Sequence, residues 1–296
     1  MRLPGIAWRL VVLGLVFLAV VPLQYAGTRW NWRLAGRLPI AFHRLFLRLF
    51  SVRVTVLGAP PSAATPSLVL ANHVSWLDIS VISSLVPLSF IAKQEIAGWP
   101  LVGALARLQR CVFLDRGRKA ATAEVNAVVA RRLAAGDHIV LFPEGTTGDG
   151  LRLLPFRSSL VGAARAALSE PSLDTIRLQP LAIVYTARNG LPVTRREMPD
   201  IAWYGDMELA PHLSAFVRHG PLDVVVVWGD PILFDAATDR KRASAEAENA
   251  VRSALRQVRT GSPLVPMRAV GSYSLEAGAG VEMKRIETIG TRQRRA

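Results

Sequence analysis

The chain has 296 residues, enough for one large domain or two small ones. Its 36 Lys and Arg residues against 22 Asp and Glu residues give a net charge of +14, which suits an anionic lipid surface, an acidic carrier protein or a nucleic acid. Nucleic acid is disfavoured because the basic residues form no single block and no nucleic-acid-binding motif is present. A content of 51% hydrophobic residues and a mean hydropathy of +0.28 indicate a membrane instead. The single cysteine, Cys111, excludes an internal disulfide framework and fits a reducing cytoplasm.

Residues 1–50 are predicted to attach the protein to a membrane. Residues 10–28 contain no charged side chain and would rise about 28 Å as a helix, close to the thickness of the bilayer hydrocarbon core. Pro22 and Gln24 interrupt the far end, so a spanning, a tilted and a re-entrant helix all stay open. More arginines follow this segment than precede it, and by the positive-inside rule the body of the protein is expected in the cytoplasm.

Residues 33–50 have the spacing of a basic amphipathic helix, with Leu34, Leu38 and Phe42 on its apolar face and arginines between them. Such a helix can lie in the interface of a bilayer. The alternative is a helix whose apolar face packs against the rest of the protein while its arginines stay in water.

The middle of the chain alternates strand-like and helix-like segments. Short apolar runs predict strands at 52–57, 67–71, 89–92, 111–114, 138–142, 177–185 and 222–228. Helical spacing occurs at 76–86, 120–135, 158–169 and 241–259. This alternation predicts an α/β fold over residues 51–260, with a central, mostly parallel sheet flanked by helices. Residues 261–296 contain Gly, Ser and scattered charges and are predicted to be a mostly disordered tail.

The most informative motif is the run Asn72 to Asp78, which directly follows the predicted strand at 67–71. At a strand-to-helix turn, Asp78 could accept a hydrogen bond from Nδ1 of His73, which leaves the other ring nitrogen as an acceptor of fixed direction. Such a pair acts as a general base, and because no protein nucleophile accompanies it, the nucleophile would come from the substrate. A histidine at a strand end can also be a core or capping residue, and Ser75 can be a helix N-cap.

A second polar turn follows the predicted strand at 138–142. Pro143-Glu144-Gly145-Thr146 would present a carboxylate, a backbone turn and a hydroxyl at the edge of the sheet. Two strands that end in polar turns indicate one shared crevice at the carboxyl ends of the strands. The sequence has no Gly-x-Ser-x-Gly elbow, Walker loop or dinucleotide-binding glycine pattern. Its five histidines are scattered, so neither a metal site nor a cofactor is predicted.

Together these residues resemble the glycerolipid (lysophospholipid) acyltransferase family, whose bacterial prototype is 1-acylglycerol-3-phosphate acyltransferase. The first family motif is matched by Asn72, His73 and Asp78, and the third by Phe142 to Thr146. The second region is matched by Lys93, Glu95, Pro100 and Gly103, followed by Phe113 and Arg116. The fourth motif is matched by Gln179 to Val184, and a further element by Pro155, Phe156 and Arg157. The resemblance covers roughly residues 50–230.

This resemblance implies transfer of a fatty acyl group from acyl-CoA or acyl carrier protein to the free hydroxyl of a lysolipid, on the cytoplasmic face of the inner membrane. His73, oriented by Asp78, would remove the proton of the acceptor hydroxyl, and backbone donors around Gly145 would stabilise the oxyanion. Acceptor binding would fall to Arg116, Glu144, Gly145, Thr146, Lys93 and Arg157. The rival from another class is a membrane-anchored binding protein that keeps the fold without the chemistry.

One departure from the family pattern bears on the acceptor. Members that use a phosphate-bearing acceptor often continue Glu-Gly-Thr with Arg-Ser, whereas Thr147-Gly148-Asp149-Gly150 follows here, with Arg152 and Arg157 the nearest basic residues. The family default predicts 1-acyl-sn-glycerol-3-phosphate as the acceptor and phosphatidate as the product. The local residues resemble the branch that acylates lyso-ornithine lipid, a phosphate-free lipid, and this is the alternative acceptor.

Overall fold

The computed structural model describes residues 3–30, 32–62, 65–115, 119–169, 173–262 and the backbone of 273–274. Its helices are α1 (Leu3–Arg29), α2 (Leu38–Leu49), α3 (Leu77–Ser83), α4 (Pro100–Leu108), α5 (Lys119–Ala134), α6 (Gly162–Ala167), α7 (Leu209–Arg218) and α8 (Arg240–Thr260). Its strands are β1 (Val52–Leu57), β2 (Ser67–Ala71), β3 (Ser89–Lys93), β4 (Val112–Leu114), β5 (His138–Leu141), β6 (Ile176–Arg188), β7 (Leu191–Pro192), β8 (Leu222–Trp228), β9 (Ile232–Phe234) and β10 (Tyr273–Ser274).

The strands form one mixed sheet in the order β10-β1-β8-β6-β2-β5-β3-β4, and β7 and β9 pair with β6 outside this path. The strands from β6 to β4 run parallel, whereas β8 and β1 run in the opposite direction. β2 pairs on both sides and is buried along its whole length. A parallel strand covered on both faces needs a continuous apolar sequence, and residues 67–71 supply one. The predicted α/β class with a mostly parallel sheet is confirmed.

Alternate positions of the strands face two apolar cores, one on each side of the sheet. Leu68 and Leu70 of β2 pack with α5, α6 and α8, whereas Val69 and Ala71 pack with α2, α3 and α7. Successive side chains of a strand point to opposite faces, so one five-residue strand joins both cores. The turn that follows β2 is therefore held from both sides of the sheet.

The predicted membrane segment is one continuous helix, α1, which includes Pro22. From Ile6 to Arg29 it is long and apolar enough to cross a membrane by length and composition. Large apolar side chains such as Trp8, Leu15 and Leu18 are exposed along it. Water disfavours such a surface, and the acyl chains of a bilayer would cover it.

The predicted amphipathic segment forms a 3-10 turn at Arg33–Gly36 and then α2. The apolar face of α2 packs inside the protein, where Leu47 joins the core shared with α3. Arg44 donates from Nε to the Ser84 carbonyl at the end of α3, at 2.8 Å, while Arg48 is exposed. This arrangement corresponds to the second interpretation of the segment, a helix packed against the domain.

Four elements, α4, α7, β7 and β9, were not predicted from the sequence. Pro100 at the first position of α4 was a usable start signal. The turn between β6 and β7 is Asn189-Gly190, with φ of 53° and 82°, and Asn-Gly is the usual signal for such a hairpin turn. Most of the predicted tail lies outside the described residues, and its segment 273–274 pairs with β1 as β10.

Candidate active site

The crevice begins where β2 ends, and Asn72 determines how the chain leaves the sheet. The Asn72 side chain donates from Nδ2 to the Ile183 carbonyl at 3.0 Å, and its Oδ1 accepts from the Ile183 N–H at 2.7 Å. The last backbone register pair before it is Ala71 with Leu181. The amide side chain thus continues the pairing with β6 while the backbone turns away. His73 follows directly at the sheet edge.

His73 and Asp78 form a hydrogen-bonded pair, with 2.8 Å between Nδ1 and Oδ2. Asp78 lies in the first turn of α3 and is fully buried. The same Oδ2 accepts from the N–H groups of Val74 and Ser75 at 2.7 and 2.9 Å. An ionised carboxylate can only accept, so Nδ1 carries the proton and Nε2 of His73 is left as an acceptor. This is the arrangement that a general base requires, and the catalytic role of the pair remains a prediction.

The other oxygen of Asp78 has a partner that sequence reasoning missed. Tyr185 of β6 donates its hydroxyl to Oδ1 at 2.6 Å, across a separation of 107 residues along the chain. Its position just beyond the fourth family motif was visible in the sequence. Which face of β6 it occupies and which residue it meets were not.

The His73 ring is held flat against Phe142, with 3.8 Å between ring centroids and 12° between planes. Phe142 comes directly after β5, so the turns after β2 and β5 meet at this contact. The His73 side chain is 18% exposed and lines a large cavity. The two polar turns therefore share one crevice, as the sequence predicted from two strands that end in polar turns, and the structure shows that these strands are neighbours.

Glu144 is buried and holds two backbone segments together. Its Oε1 accepts from the His73 N–H at 2.7 Å, and its Oε2 accepts from the Leu154 N–H at 2.9 Å. Burial raises the pKa of Glu144 to about 7, although both backbone hydrogen bonds act to lower it. The structure therefore shows Glu144 supporting the His73 backbone, and its role in acceptor binding stays a prediction.

The turn after Glu144 offers donors for an oxyanion. Gly145 has φ of +78°, and its N–H donates to the Phe142 carbonyl at 3.0 Å, which closes the turn. Thr146 and Thr147 line the cavity together with Gly145. The N–H groups of Thr146 and Thr147 have no hydrogen-bond partner within the part of the chain that the structure describes. Two such amides beside a general base can stabilise a developing negative charge.

The insert that distinguishes this chain, 147–150, wraps around the His73 backbone. The Gly148 N–H donates to the His73 carbonyl at 2.8 Å. Arg259 at the end of α8 donates to the carbonyls of Gly150 and Leu151 at 2.5 and 2.8 Å. Oδ1 of Asp149 accepts from the Leu151 N–H at 2.9 Å and more weakly from the next N–H. The insert is thus a turn that is tied to His73 on one side and to α8 on the other.

The remaining predicted binding residues are placed differently from one another. Lys93, at the end of β3, is exposed and lines the cavity. Arg157 is exposed but is not among the cavity-lining residues, and its backbone N–H donates to the Pro143 carbonyl at 2.8 Å. Arg116 lies outside the described residues. The structure therefore brings Lys93 to the crevice with His73, and it does not bring Arg157 there.

The cavity has a volume of about 910 Å³ and a mostly apolar lining. It extends from His73 between α1, α2 and α4. One stripe of α1 lines it at helical spacing: Leu10, Leu13, Gly14, Phe17, Val20, Val21 and Gln24. A long apolar cavity that reaches His73 suits an alkyl chain whose reactive end lies at this residue.

A polar patch interrupts the apolar wall of the cavity. His43 of α2 lies 3.2 Å from the Ser80 hydroxyl through Nδ1 and 3.1 Å from Gln109 Oε1 through Nε2. Burial lowers the pKa of His43 to about 4, although the bond to Gln109 acts to raise it, so the ring is neutral near pH 7. Nε2–H then donates to Gln109, and Ser80 donates to Nδ1. The patch adds polarity to the cavity wall without adding charge.

Comparison with known proteins agrees with the geometry. A family model described as Acyltransferase matches residues 53–184. The lyso-ornithine lipid O-acyltransferase of Brucella abortus is 43% identical over 244 residues, which cover 82% of this chain and 91% of that protein. The chain belongs to the acyltransferase family. The 1-acyl-sn-glycerol-3-phosphate acyltransferase of Neisseria gonorrhoeae is 38% identical to this acyltransferase over 129 residues, or 44% of this chain and 51% of that protein.

The fold of the acyltransferase also has a solved counterpart. The crystal structure of the 1-acyl-sn-glycerophosphate acyltransferase of Thermotoga maritima matches with a TM-score of 0.54 at 21% identity, over 86% of this chain and 97% of that one. At this identity the match concerns the fold alone. The resemblance drawn from the four motifs is confirmed, and so is the assignment as an enzyme over the non-catalytic alternative.

Proposed function

We propose that this acyltransferase transfers a fatty acyl group from an acyl thioester to the hydroxyl of lyso-ornithine lipid. The observation that carries the proposal is the extent of the similarities. The relative named as a lyso-ornithine lipid O-acyltransferase is similar over 82% of the chain, whereas the relative named for 1-acyl-sn-glycerol-3-phosphate is similar over 44%. This supports the alternative acceptor of the sequence analysis over lysophosphatidate, which the family default had placed first.

The local structure supports the same acceptor. The position at which phosphate-using members carry Arg-Ser is occupied by the turn 147–150. Arg152 and Arg157 lie outside the cavity lining, and so does Asp149. A phosphate group in the cavity would therefore lack the guanidinium partner that those members provide. A head group without phosphate does not need that partner.

The reaction then follows from the His73–Asp78 geometry. Nε2 of His73 takes the proton of the acceptor hydroxyl as its oxygen attacks the thioester carbonyl carbon. The carbonyl oxygen becomes an oxyanion, which the free N–H groups of Thr146 and Thr147 stabilise. Collapse of this intermediate breaks the carbon–sulfur bond, and the departing thiolate takes the proton from the imidazolium. Asp78 holds the tautomer and balances the transient positive charge, so no acyl-enzyme is formed.

The apolar cavity and the apolar helix α1 support a location of this chemistry at a membrane. The alkyl chain of a substrate lies in the apolar cavity, while the outer side of α1 contacts the bilayer on the cytoplasmic face of the inner membrane. Acyl-CoA and acyl carrier protein present the same thioester carbonyl, and either serves as the donor in this scheme. Among the described residues that line the cavity, Lys93 carries a positive charge that can contact a carboxylate or phosphate of a substrate.

A side-by-side kinetic comparison tests the proposal. Purified full-length protein in mixed micelles is given one radiolabelled acyl thioester with either lyso-ornithine lipid or 1-acyl-sn-glycerol-3-phosphate, and kcat/KM is measured for each acceptor. We expect at least a tenfold preference for lyso-ornithine lipid, and the opposite preference would overturn the assignment. His73→Ala is the control, since removal of a positioned general base typically costs on the order of 10²–10⁴-fold in rate.

A further inference from the structure

Asp78 is buried so completely that each of its oxygens needs a hydrogen-bond donor. Oδ2 accepts hydrogen bonds from three donors, namely Nδ1–H of His73 and the N–H groups of Val74 and Ser75. Oδ1 has Tyr185 as its partner among the described residues, at 2.6 Å. Without that hydroxyl, half of a fully buried carboxylate would lack a donor, which disfavours its ionised form.

We propose that Tyr185 is a positioning residue of the acyl transfer reaction, whose hydroxyl keeps Asp78 ionised and aimed at His73. The inference rests on the proposed function, in which His73 is the general base. Tyr185 is not a cavity-lining residue, and its hydroxyl is engaged with Asp78. It therefore acts through Asp78 and not on the substrate.

The position of the Tyr185 hydroxyl is set by β6, a strand far from Asp78 in the sequence. Leu181, Ile183 and Tyr185 alternate along β6 and all face the core that contains α3. The Asn72 side chain holds Ile183 by two hydrogen bonds, which sets the register of β6 against the turn that carries His73. Tyr185 is two residues further along the same face, where it meets Asp78.

The hydrogen bond also restricts how the carboxylate can turn. A partial rotation about the Cβ–Cγ bond of Asp78 would turn both oxygens away from their donors. With a donor on each side, the carboxylate has one favourable orientation. Burial, together with the negative charge of Asp78, raises the pKa of Tyr185 well above its ordinary value, so the phenol stays protonated and remains a donor at every working pH.

Tyr185→Phe tests the inference, because it keeps the packed ring and removes the hydroxyl. Losing one donor leaves a buried oxygen of Asp78 without a partner and frees the carboxylate to turn away from His73, and both effects weaken proton removal from the acceptor. We expect kcat to fall on the order of tenfold, with KM for both substrates unchanged. In the plot of kcat/KM against pH, the acidic limb should shift to higher pH by about one unit.

Three controls separate this role from simple packing. Tyr25→Phe removes a hydroxyl from a residue that is 67% exposed on α1, and it should leave kcat and the pH profile unchanged. In an Asp78→Asn background, adding Tyr185→Phe should cause little further loss, because the two residues act as one unit. Site-specific replacement of Tyr185 by 3-fluorotyrosine keeps the shape and the donor, so turnover and the acidic limb should stay near those of the wild type.

Wild-type kcat with an unmoved acidic limb in Tyr185→Phe would overturn the inference. A fluorotyrosine variant that behaves like Tyr185→Phe would do the same, and it remains informative even if the phenylalanine variant is poorly folded. Full turnover in Asp78→Asn alone would instead refute the general-base mechanism on which this inference rests. The two failures are therefore distinguishable.

Discussion

A methyl group added at Gly150 should weaken the fold and slow acyl transfer together. Gly150 has φ of +72°, and a Cβ built there would lie 2.1 Å from Cε of Met198 and 2.9 Å from Cγ1 of Val74. Val74 follows His73 directly, and its N–H donates to Asp78. Gly150→Ala therefore displaces the backbone next to the His73–Asp78 pair.

The magnitude follows from two separate effects. The left-handed conformation costs a residue with a Cβ roughly 1–2 kcal/mol. Overpacking of a well-packed core typically adds about 1–3 kcal/mol. Met198 can move its terminal methyl group at little cost, whereas Val74 is branched at Cβ and stiff, so the strain falls mainly on Val74. We expect the free energy of unfolding to drop by about 2–5 kcal/mol. A misplacement of about 1 Å near the reacting atoms can cost on the order of 10²-fold in rate, so kcat should fall at least about tenfold.

Gly190→Ala is the matched control. Gly190 has φ of +82°, but an added Cβ there would have no atom within 4 Å. In Gly190→Ala the free energy of unfolding should drop only by the cost of the left-handed backbone conformation, roughly 1–2 kcal/mol, and kcat should be unchanged. Denaturant unfolding in detergent, followed by tryptophan fluorescence, measures the stability of both variants, and thioester-dependent product formation measures kcat. Equal destabilisation in the two variants, with turnover retained in both, would refute the reasoning.

Three further variants test separate parts of the site. Burial raises the pKa of Glu144 from 4.5 to about 7, so the folded protein retains a proton that the unfolded chain has already lost. The free energy of unfolding should therefore decrease as pH rises through this window, at up to roughly 1.4 kcal/mol per pH unit, and Glu144→Gln should flatten that slope in pH-dependent denaturant unfolding. Gly14 lines the cavity, and an added Cβ meets nothing within 4 Å, so Gly14→Phe should fold normally and shorten the longest acyl chain accepted from a graded thioester series. If Gly14→Phe accepts the same range of acyl-chain lengths as the wild type, the acyl chain does not lie beside Gly14. Burial raises the pKa of Cys111 to about 11, so its thiol is neutral at pH 7 and Cys111→Ala should retain turnover; inactivation would indicate an acyl-cysteine intermediate.

Features whose cause is local could be predicted from the sequence alone. The strand at 67–71 lies where its apolar run predicted, because burial on both faces of a sheet requires such a run. The strand at 52–57 also lies where it was predicted, and its alternating sequence matches a strand that is buried on one face only. His73 and Asp78 are five residues apart on one strand-to-helix turn, so their contact depends on the conformation of a few residues. The apolar segment 10–28 lies within α1 because its length and composition leave few other solutions.

Contacts between distant segments were decided only by the tertiary structure. The sequence places Tyr185 in a strand that is buried on both faces, and no alternation there reveals which side chains face α3. Glu144 sits in a recognisable motif, yet its contact with the Leu154 N–H depends on how a later loop folds back. The hydrogen bonds from Arg259 to the carbonyls of Gly150 and Leu151 depend on where α8 ends, more than a hundred residues later in the sequence.

The cavity depends in the same way on packing between segments. α1, α2 and α4 each have an apolar face, and local patterning says that such a face must be buried without saying against what. Only the packed arrangement leaves space between them and joins that space to His73. Hydrophobic periodicity specifies which side of an element turns inward, whereas shape and connectivity decide which inward faces meet. The apolar segment 10–28 and the His73–Asp78 pair could thus be predicted separately, and the structure alone shows that one cavity connects them.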